Sequence, residues 1–242
     1  MRTDIDLNLG ARRQDARLEL VERFFSGTGT SYDAMVHWAT LGFDARWKKR
    51  MLEHIPAGDG PVLDLACGTG ISTLSIARRF PGRLVVGVEL RDEYLRIARQ
   101  KAAREPAANV QFALCRAEDY ESALHFDCVT SSYLAKYAEL PRVVARSRGM
   151  LRSRGVLMMH DFTLPPKRTL LTLWHLYFIV MRNTVARALP EWSEIYGGLP
   201  ALIETTRWLP ELQNELTRNG FTDVKVDHLT LYGSAIVTAI KG

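Results

Sequence analysis

A glycine-rich run in the first third of the chain constrains its fold more than any other feature. The apolar segment 62–65 leads directly into Cys67-Gly68-Thr69-Gly70, and a helical pattern follows over residues 71–79. Glycines have no Cβ, so the backbone can turn sharply and lie close against a ligand, while the first amides of the helix face the same place. The order of strand, glycine turn and helix therefore predicts a nucleotide pocket at the carboxyl end of a strand. A tight turn without a ligand is the alternative.

Two acidic residues indicate which ligand such a pocket takes. Asp64 lies within the first apolar segment, and Glu89 ends a second one at 84–88, where a carboxylate can accept both hydroxyls of a ribose. A dinucleotide fold would carry a third glycine to receive a pyrophosphate, but Ser72 and Thr73 follow the second glycine here. The pattern therefore favours a nucleoside over a pyrophosphate.

Apolar segments alternate with helical patterns through the middle of the chain. Strands are predicted at 62–65, 84–88, 110–114, 128–131 and 156–160, and helices at 72–80, 92–104 and 140–151. Such alternation favours a parallel sheet with helices on both faces, so the predicted class is α/β and doubly wound. Pro106 is expected to close the second helix, and the β-rich residues 229–240 to form a terminal hairpin arm.

The outer segments are helical in pattern and are expected to cover the carboxyl ends of the strands. Residues 1–55 are predicted to form a helical N-terminal lid. Residues 56–242 are predicted to form the main domain, with a helical insertion at about 165–210.

Composition excludes several classes of protein. With 242 residues, 47% hydrophobic and 24% charged, the chain is neither disordered nor a repeat array. Residues 1–20 contain no apolar core of signal-peptide length, which predicts a cytoplasmic location. Cys67, Cys115 and Cys128 are too widely spaced for a zinc site or a disulfide framework, so we predict no metal. Although the net charge is +5, the basic residues are scattered, and no nucleic-acid partner is predicted.

The run from Asp64 to Gly70, together with Glu89, resembles the first motif of class I S-adenosylmethionine methyltransferases, an acidic residue followed by G-x-G. The resemblance implies a doubly wound, mostly parallel seven-stranded sheet and S-adenosyl-L-methionine as cofactor. The cofactor-binding residues that it implies are Asp64, Ala66, Gly68, Thr69, Gly70, Glu89, Leu90, Ala117, Glu118, Ser131 and Tyr32.

Two of these positions leave alternatives open. Such enzymes commonly hold the adenine ring with an acidic or amide side chain just before the alanine, and here that residue is Arg116. Glu118, Asp119 or a backbone carbonyl is then expected to accept the adenine amino hydrogen. Ser131 and Ser132, after the fourth strand, are expected beneath the methionine portion of the cofactor, and strand-end capping is the other interpretation.

The outer segments resemble a narrower group, the ubiquinone/menaquinone C-methyltransferase family, which methylates a ring carbon of a polyprenyl quinol. The resemblance covers nearly the whole chain and is carried by Tyr32-Asp33-Ala34-Met35, Gly42, Trp47-Lys48, Phe126-Asp127-Cys128, Leu151, Gly155, Asp161-Phe162, Trp208-Leu209-Pro210, Gly220-Phe221 and Leu229-Thr230. Val36-His37, Asp44-Ala45 and Tyr133-Leu134-Ala135-Lys136-Tyr137 stand where the family has Asn-Asp, His-Arg and Phe-Gly-Leu-Arg-Asn. The resemblance therefore implies the fold and the cofactor, and leaves the substrate and the catalytic base open.

Methylation of a quinol carbon needs a base that removes a phenolic proton. The candidate catalytic residues are His37, Tyr133, Lys136 and His160, with Tyr137 beside them. Free histidine has a pKa of about 6.5, close to working pH, which makes His37 a candidate base, and packing is its alternative role. Lys136 could hold an anionic oxygen or be an exposed lysine at a helix start. His160 faces the cleft only if the alternation of its strand places it there.

The apolar run 170–181 suggests a lipophilic small-molecule substrate. Twelve helical residues span about 18 Å, too short for a bilayer core of about 30 Å. One interpretation is a buried core helix. The other is a lid over an apolar tunnel, with peripheral membrane contact through residues 167–187, which have basic residues at both ends.

The predicted function is methylation of a lipophilic small molecule, with a polyprenyl quinol favoured. Three alternatives are kept: methylation of a phospholipid amine, secondary metabolite or thiol; transfer of another group from the cofactor; and a cofactor-binding scaffold without turnover. The oligomeric state is not predicted.

Overall fold

The computed structural model describes residues 16–105 and 107–242. Pro106 and residues 1–15 of the predicted lid therefore lie outside the described residues. The strands are β1 Val62–Leu65, β2 Val85–Glu89, β3 Val110–Leu114, β4 Phe126–Ser132, β5 Leu151–Phe162, β6 Phe221–Leu229 and β7 Ser234–Lys241. They form one sheet in the order β3-β2-β1-β4-β5-β7-β6, parallel except that β7 runs antiparallel to both of its neighbours. The predicted doubly wound, mostly parallel seven-stranded sheet is confirmed.

Helices cover both faces of this sheet and its carboxyl edge. They are α1 (16–25), α2 Tyr32–Ala39, α3 Phe43–His54, α4 Ile71–Arg79, α5 Asp92–Arg104, α6 Leu140–Met150, α7 Arg168–Ala188, α8 Ser193–Thr205 and α9 Trp208–Arg218. Every residue of β1 and β2 is buried, as expected for central strands of a parallel sheet covered on both faces.

A second apolar core lies above the carboxyl ends of the strands. Phe24 of α1, Met35 of α2, Phe178 of α7 and Tyr196 of α8 are buried in it. The N-terminal helices and the helical insertion therefore pack together. Ile55 packs in a separate apolar cluster against the sheet and not in this second core. The predicted boundary between residues 55 and 56 stays a prediction.

Helix α7 differs from the sequence-based expectation. It has 21 residues rather than about twelve, and among its described side chains only Phe178 is buried. Leu173, Leu176, Ile179 and Val180 are 48–59% exposed, whereas Phe178 on the opposite face is buried. The buried-core interpretation is therefore wrong, because α7 lies in the outermost layer and packs on one side only. No helix among residues 16–105 and 107–242 has both the length and the apolarity to span a membrane.

Candidate active site

The glycine turn between β1 and α4 has the backbone that its sequence predicts. Gly68 and Gly70 have φ of 58° and 84°, in the left-handed region that glycine adopts without cost. A Cβ on Gly70 would lie 3.1 Å from Cβ of Ala98, so a close helix contact also requires glycine there. Ala66 has φ of 54°, a conformation that costs an L-residue about 1–2 kcal/mol. This strain lies at the turn that lines two of the cavities described below.

Glu89 links this turn to the end of β2. One carboxylate oxygen accepts the amide hydrogen of Gly68 and the other that of Arg91, both at 2.9 Å. Burial raises the pKa of Glu89 while these backbone hydrogen bonds oppose the shift. The carboxylate is fixed in place and still has lone pairs to accept two hydroxyls of a ligand.

Asp64 is held deeper in the same site. It is 1% exposed, and its carboxylate accepts a hydrogen bond of 2.6 Å from the hydroxyl of Thr73. Burial raises its pKa to about 7. A ligand cation near this carboxylate would stabilise its charged form.

Two small cavities lie along this turn. One of about 120 Å³ is lined by seven of the predicted cofactor residues: Tyr32, Ala66, Gly68, Glu89, Leu90, Ala117 and Glu118. The other, about 30 Å³, adds Asp64 and Thr69. Together they are lined by nine of the predicted cofactor residues.

Two predicted cofactor residues do not line these cavities. Gly70 instead begins α4 and supports the turn. Ser131 points to the other side of β4, where its buried hydroxyl finds no partner among the described residues. Ser132, the other serine of the predicted pair, lines both cavities, so the structure brings only the second of the two serines to the site.

Arg116 is engaged by the acidic residues that follow it. Its guanidinium lies 3.6 Å from Glu118 and 3.8 Å from Asp119. Both Arg116 and Glu118 line the larger of the two small cavities, and Glu118 also accepts the amide hydrogen of Glu139 at 3.2 Å. Of Glu118 and Asp119, the two residues expected to accept from the adenine, Glu118 lines this cavity.

A third cavity, of about 420 Å³, lies beside the first two under the helical layer. Its walls are almost entirely apolar or aromatic, including Met35, Trp47, Trp174 and Phe178. Tyr32 and Tyr133 line all three cavities. These two tyrosines therefore form the wall at which the apolar cavity meets the polar ones.

Tyr133 is positioned by a contact that the sequence did not reveal. Its φ is 67°, and its hydroxyl donates a hydrogen bond of 2.6 Å to the buried carboxylate of Asp44. Asp44 also forms an ion pair with Lys48, whose ammonium lies 4.9 Å from the centre of the Tyr133 ring. Burial and the Asp44 charge hold the pKa of Tyr133 well above its ordinary value.

Lys136 lines the apolar cavity, as a candidate catalytic residue should. Its ammonium lies 2.5 Å from the fully buried carboxylate of Asp161, which also accepts the amide hydrogens of Lys136 and Phe162. Burial lowers the pKa of Lys136, and Asp161 opposes the shift. The interpretation as an exposed lysine at a helix start is therefore wrong. Tyr137 lies beside it, with the ammonium 4.7 Å from its ring centre.

The structure does not bring the two candidate histidines into contact with any of these cavities. His37 lies exposed on the outer face of α2. His160 is fully buried behind Tyr133, and each of its ring nitrogens is hydrogen-bonded to a serine hydroxyl, of Ser132 at 2.9 Å and of Ser234 at 2.6 Å. Burial and nearby lysines hold the pKa of His160 well below its ordinary value. Both predictions of a substrate-contacting base are corrected, and His160 instead orients Ser132.

The N-terminal segment is fastened over the polar cavities by side chains from α2 and α5. Asp33 of α2 accepts a hydrogen bond from Thr69 in the glycine turn and pairs with Lys101 of α5. Glu93 accepts the amide hydrogens of Gly27 and Gly29, at 3.2 and 2.8 Å. The closed arrangement thus depends on hydrogen bonds and ion pairs between the lid and the glycine turn.

Comparisons with known proteins agree on the class of chemistry. Residues 62–155 match the family model described as a methyltransferase domain. The demethylmenaquinone methyltransferase of Roseiflexus castenholzii is 30% identical over 234 residues, covering 94% of this chain and 95% of that protein. The ubiquinone/menaquinone biosynthesis C-methyltransferase of Citrifermentans bemidjiense is 26% identical, covering 93% and 96%.

Solved structures show the same fold. A phosphoethanolamine N-methyltransferase 2 of Haemonchus contortus, in complex with phosphomonomethylethanolamine and S-adenosylhomocysteine, superposes with a TM-score of 0.65 at 17% identity, over 92% of this chain and 59% of that one. A geranyl diphosphate C-methyltransferase of Streptomyces coelicolor superposes with a TM-score of 0.61 at 14% identity, over 82% and 79%.

Proposed function

Because this chain belongs to the class I S-adenosylmethionine-dependent methyltransferases, we propose that it methylates a lipophilic small molecule, most specifically a ring carbon of a polyprenyl quinol. The observation that carries the proposal is the apolar cavity of about 420 Å³ that meets the cofactor cavities at Tyr32 and Tyr133. The resemblance to enzymes of quinone biosynthesis over nearly the whole chain supports the same acceptor.

The described residues fit the cofactor. Glu89 would bind the ribose hydroxyls, Leu90 and Ala117 would flank the adenine, and Asp64 lies near the expected methionine portion. S-adenosylmethionine supplies an activated sulfonium methyl group when bound. The protein must then align the acceptor carbon with that group and exclude water, and the aromatic wall of Tyr32 and Tyr133 is placed to do both.

Asp44 and Tyr133 supply the proton acceptor that a quinol carbon requires. In our proposal the acceptor's hydroxyl would give its proton to the Tyr133 oxygen while Tyr133 gives its own proton to Asp44, so that electron density moves onto the ring carbon. That carbon would take the methyl group, with the bonding pair left on sulfur, and would then lose its own hydrogen as a proton while the oxygen regains one. The 2.6 Å hydrogen bond provides the path for the second transfer, and Lys48 holds the carboxylate in place. Lys136 lines the apolar cavity too, but its charge is already balanced by Asp161, so we assign it no part in stabilising the phenolate.

A small polar acceptor is less compatible with this cavity. Lys136 is the cationic side chain among its lining residues, and it is already paired with Asp161. A phosphorylated amine would thus leave its phosphate without a partner in an apolar enclosure, which costs free energy. Less polar secondary metabolites and thiols stay as alternative acceptors, and transfer of another group or a scaffold role would appear as distinct results of the experiment below.

The experiment combines cells and purified protein. Lipid extracts of cells with and without the protein are compared by mass spectrometry for quinones that differ by one methyl group, and the purified protein is incubated with methyl-labelled S-adenosylmethionine and a reduced demethylated quinone. A one-methyl shift together with label on the quinone ring supports the proposal. Label on another lipid would replace the acceptor. Cofactor binding by calorimetry without any labelled product would point to a scaffold.

A further inference from the structure

Exposed apolar side chains surround the mouth of the apolar cavity. Leu41, Leu173 and Leu231 line the cavity and are nevertheless 59–73% exposed. Leu176, Ile179 and Val180 extend the apolar surface along the outer face of α7. These six residues form what we call the cavity-mouth patch. A group of exposed large apolar side chains at the entrance of a ligand cavity is typical of an interaction site.

The charged side chains of α7 itself have one sign. Helix α7 contains no acidic residue, and exposed arginines stand towards its two ends, Arg168 before the apolar stripe and Arg182 and Arg187 after it. None of the three forms an ion pair with another described residue. Residues 168 and 187 lie about 28 Å apart along the helix, at 1.5 Å per residue. The exposed Glu204 of α8 pairs with His175 of α7.

We propose that the cavity-mouth patch binds the surface of an anionic lipid bilayer, with α7 lying in the plane of the interface. An apolar stripe between cationic ends has the chemistry of an interfacial helix, whose leucines enter the acyl boundary while its arginines meet lipid phosphates. The inference rests on the proposed function in one respect: the cavity would then open toward the lipid layer in which a polyprenyl acceptor dissolves. A second copy of this chain is a poorer occupant, because a twofold contact would bring the arginines of both copies together.

Vesicle flotation tests the proposal directly on the full-length protein. We expect binding to vesicles of phosphatidylglycerol and phosphatidylcholine, much weaker binding to phosphatidylcholine alone, and loss of binding at high salt. The double variant Leu176→Glu/Ile179→Glu should reduce partitioning about tenfold or more, because each change removes one large apolar side chain from the interface and adds repulsion from anionic lipid. Leu114→Glu/Leu124→Glu is the matched control, with two leucines of similar exposure outside the patch; it should bind as the unaltered protein does.

Three results would overturn the proposal. The unaltered protein could fail to float with anionic vesicles, or the patch variant could bind as well as the control. Light scattering without vesicles could also show a dimer that Leu176→Glu/Ile179→Glu dissociates, which would assign the patch to a contact between copies.

Methylation measured in detergent distinguishes binding to the lipid surface from the proposed methylation of a quinol. Leu176 and Ile179 do not line the cavity, so methylation of a detergent-dispersed acceptor should proceed equally in the variant and the control. Vesicle binding by a protein that methylates no quinol would refute the proposed substrate and leave the lipid surface standing.

Discussion

Replacing Asp64 by asparagine should abolish a defined part of the pH dependence of folding. In the ligand-free protein this carboxyl is buried, and its pKa is raised from 3.8 to about 7. The folded state therefore keeps a proton that the unfolded chain loses above pH 4. Stability from this group is fully present below pH 4 and is lost as the pH rises towards 7.

The size of the effect follows from the shift. About three pH units at about 1.4 kcal/mol per unit give a loss of roughly 4 kcal/mol between pH 4 and pH 8. Asparagine cannot ionise, yet its side-chain oxygen can still accept the Thr73 hydrogen bond. The stability of Asp64→Asn relative to the unaltered protein should thus rise by about 4 kcal/mol across this range, an order-of-magnitude figure.

Urea unfolding of both proteins without cofactor, at each pH unit from 4 to 8, measures this difference. Groups distant from Asp64 titrate alike in the two proteins, so the difference reports on Asp64 and on Glu89, whose charge is coupled to it. Asp59→Asn, at an exposed aspartate, is the matched control and should follow the unaltered protein. Parallel stability curves for Asp64→Asn and the unaltered protein would refute the reasoning.

Four further substitutions test the site. Glu89→Ala should weaken cofactor binding by about 1–3 kcal/mol in calorimetry, because two ribose hydroxyls lose their acceptor; unchanged affinity would exclude that role. Tyr133→Phe should lower kcat about 100-fold and leave cofactor affinity unchanged, and equal rates would eliminate the proton relay. Lys136→Met should lower the free energy of unfolding by about 3–5 kcal/mol in urea, since the Asp161 charge is left buried and unpaired; a loss below 1 kcal/mol would contradict this. His37→Ala should leave turnover unchanged, and a fall in kcat would return this residue to the site.

The short apolar strands and the glycine turn were predictable because buried strands consist of apolar residues and the turn requires glycine. Strands β1 and β3 have the predicted bounds. By contrast, β5 begins five residues earlier than predicted, with exposed polar residues at 152–154, and α7 continues to residue 188 through polar positions. An apolar run indicates only the part of a helix or strand that other elements cover. The exposed polar residues that extend the same helix or strand are therefore not predicted from it.

The errors in the site come from orientation, which an apolar pattern alone does not determine. His37 has Val36 and Trp38 as apolar neighbours, so the pattern cannot tell which face of α2 is turned inward. Ser131 and Ser132 are adjacent in β4, and successive side chains of a strand point to opposite faces. Choosing between them required the packing of the sheet. The same alternation turns His160 away from the cavities.

Asp44 was missed for a different reason. Its partner Tyr133 is 89 residues away in the chain, and neither residue stands in a recognised motif. Both lie in segments where this chain departs from the quinone methyltransferase pattern, Asp44-Ala45 in the lid and residues 133–137 after β4. In the structure Tyr133 and Asp44, one from each of these two segments, are joined by a hydrogen bond. Lys48, which belongs to the retained pattern, forms an ion pair with the Asp44 carboxylate.

Asp44 and Tyr133, which differ from the quinone methyltransferase pattern, are paired with each other rather than left without partners. Scattered loss of polar residues would indicate a decaying site, since unpaired buried groups cost free energy and would be replaced by apolar ones. Here the replacements at positions 44 and 133 satisfy each other, and Lys136 has a buried partner in Asp161. Paired polar groups of this kind can still transfer protons, although they differ from the groups of the quinone methyltransferase pattern. This pairing argues for catalysis and against a scaffold role.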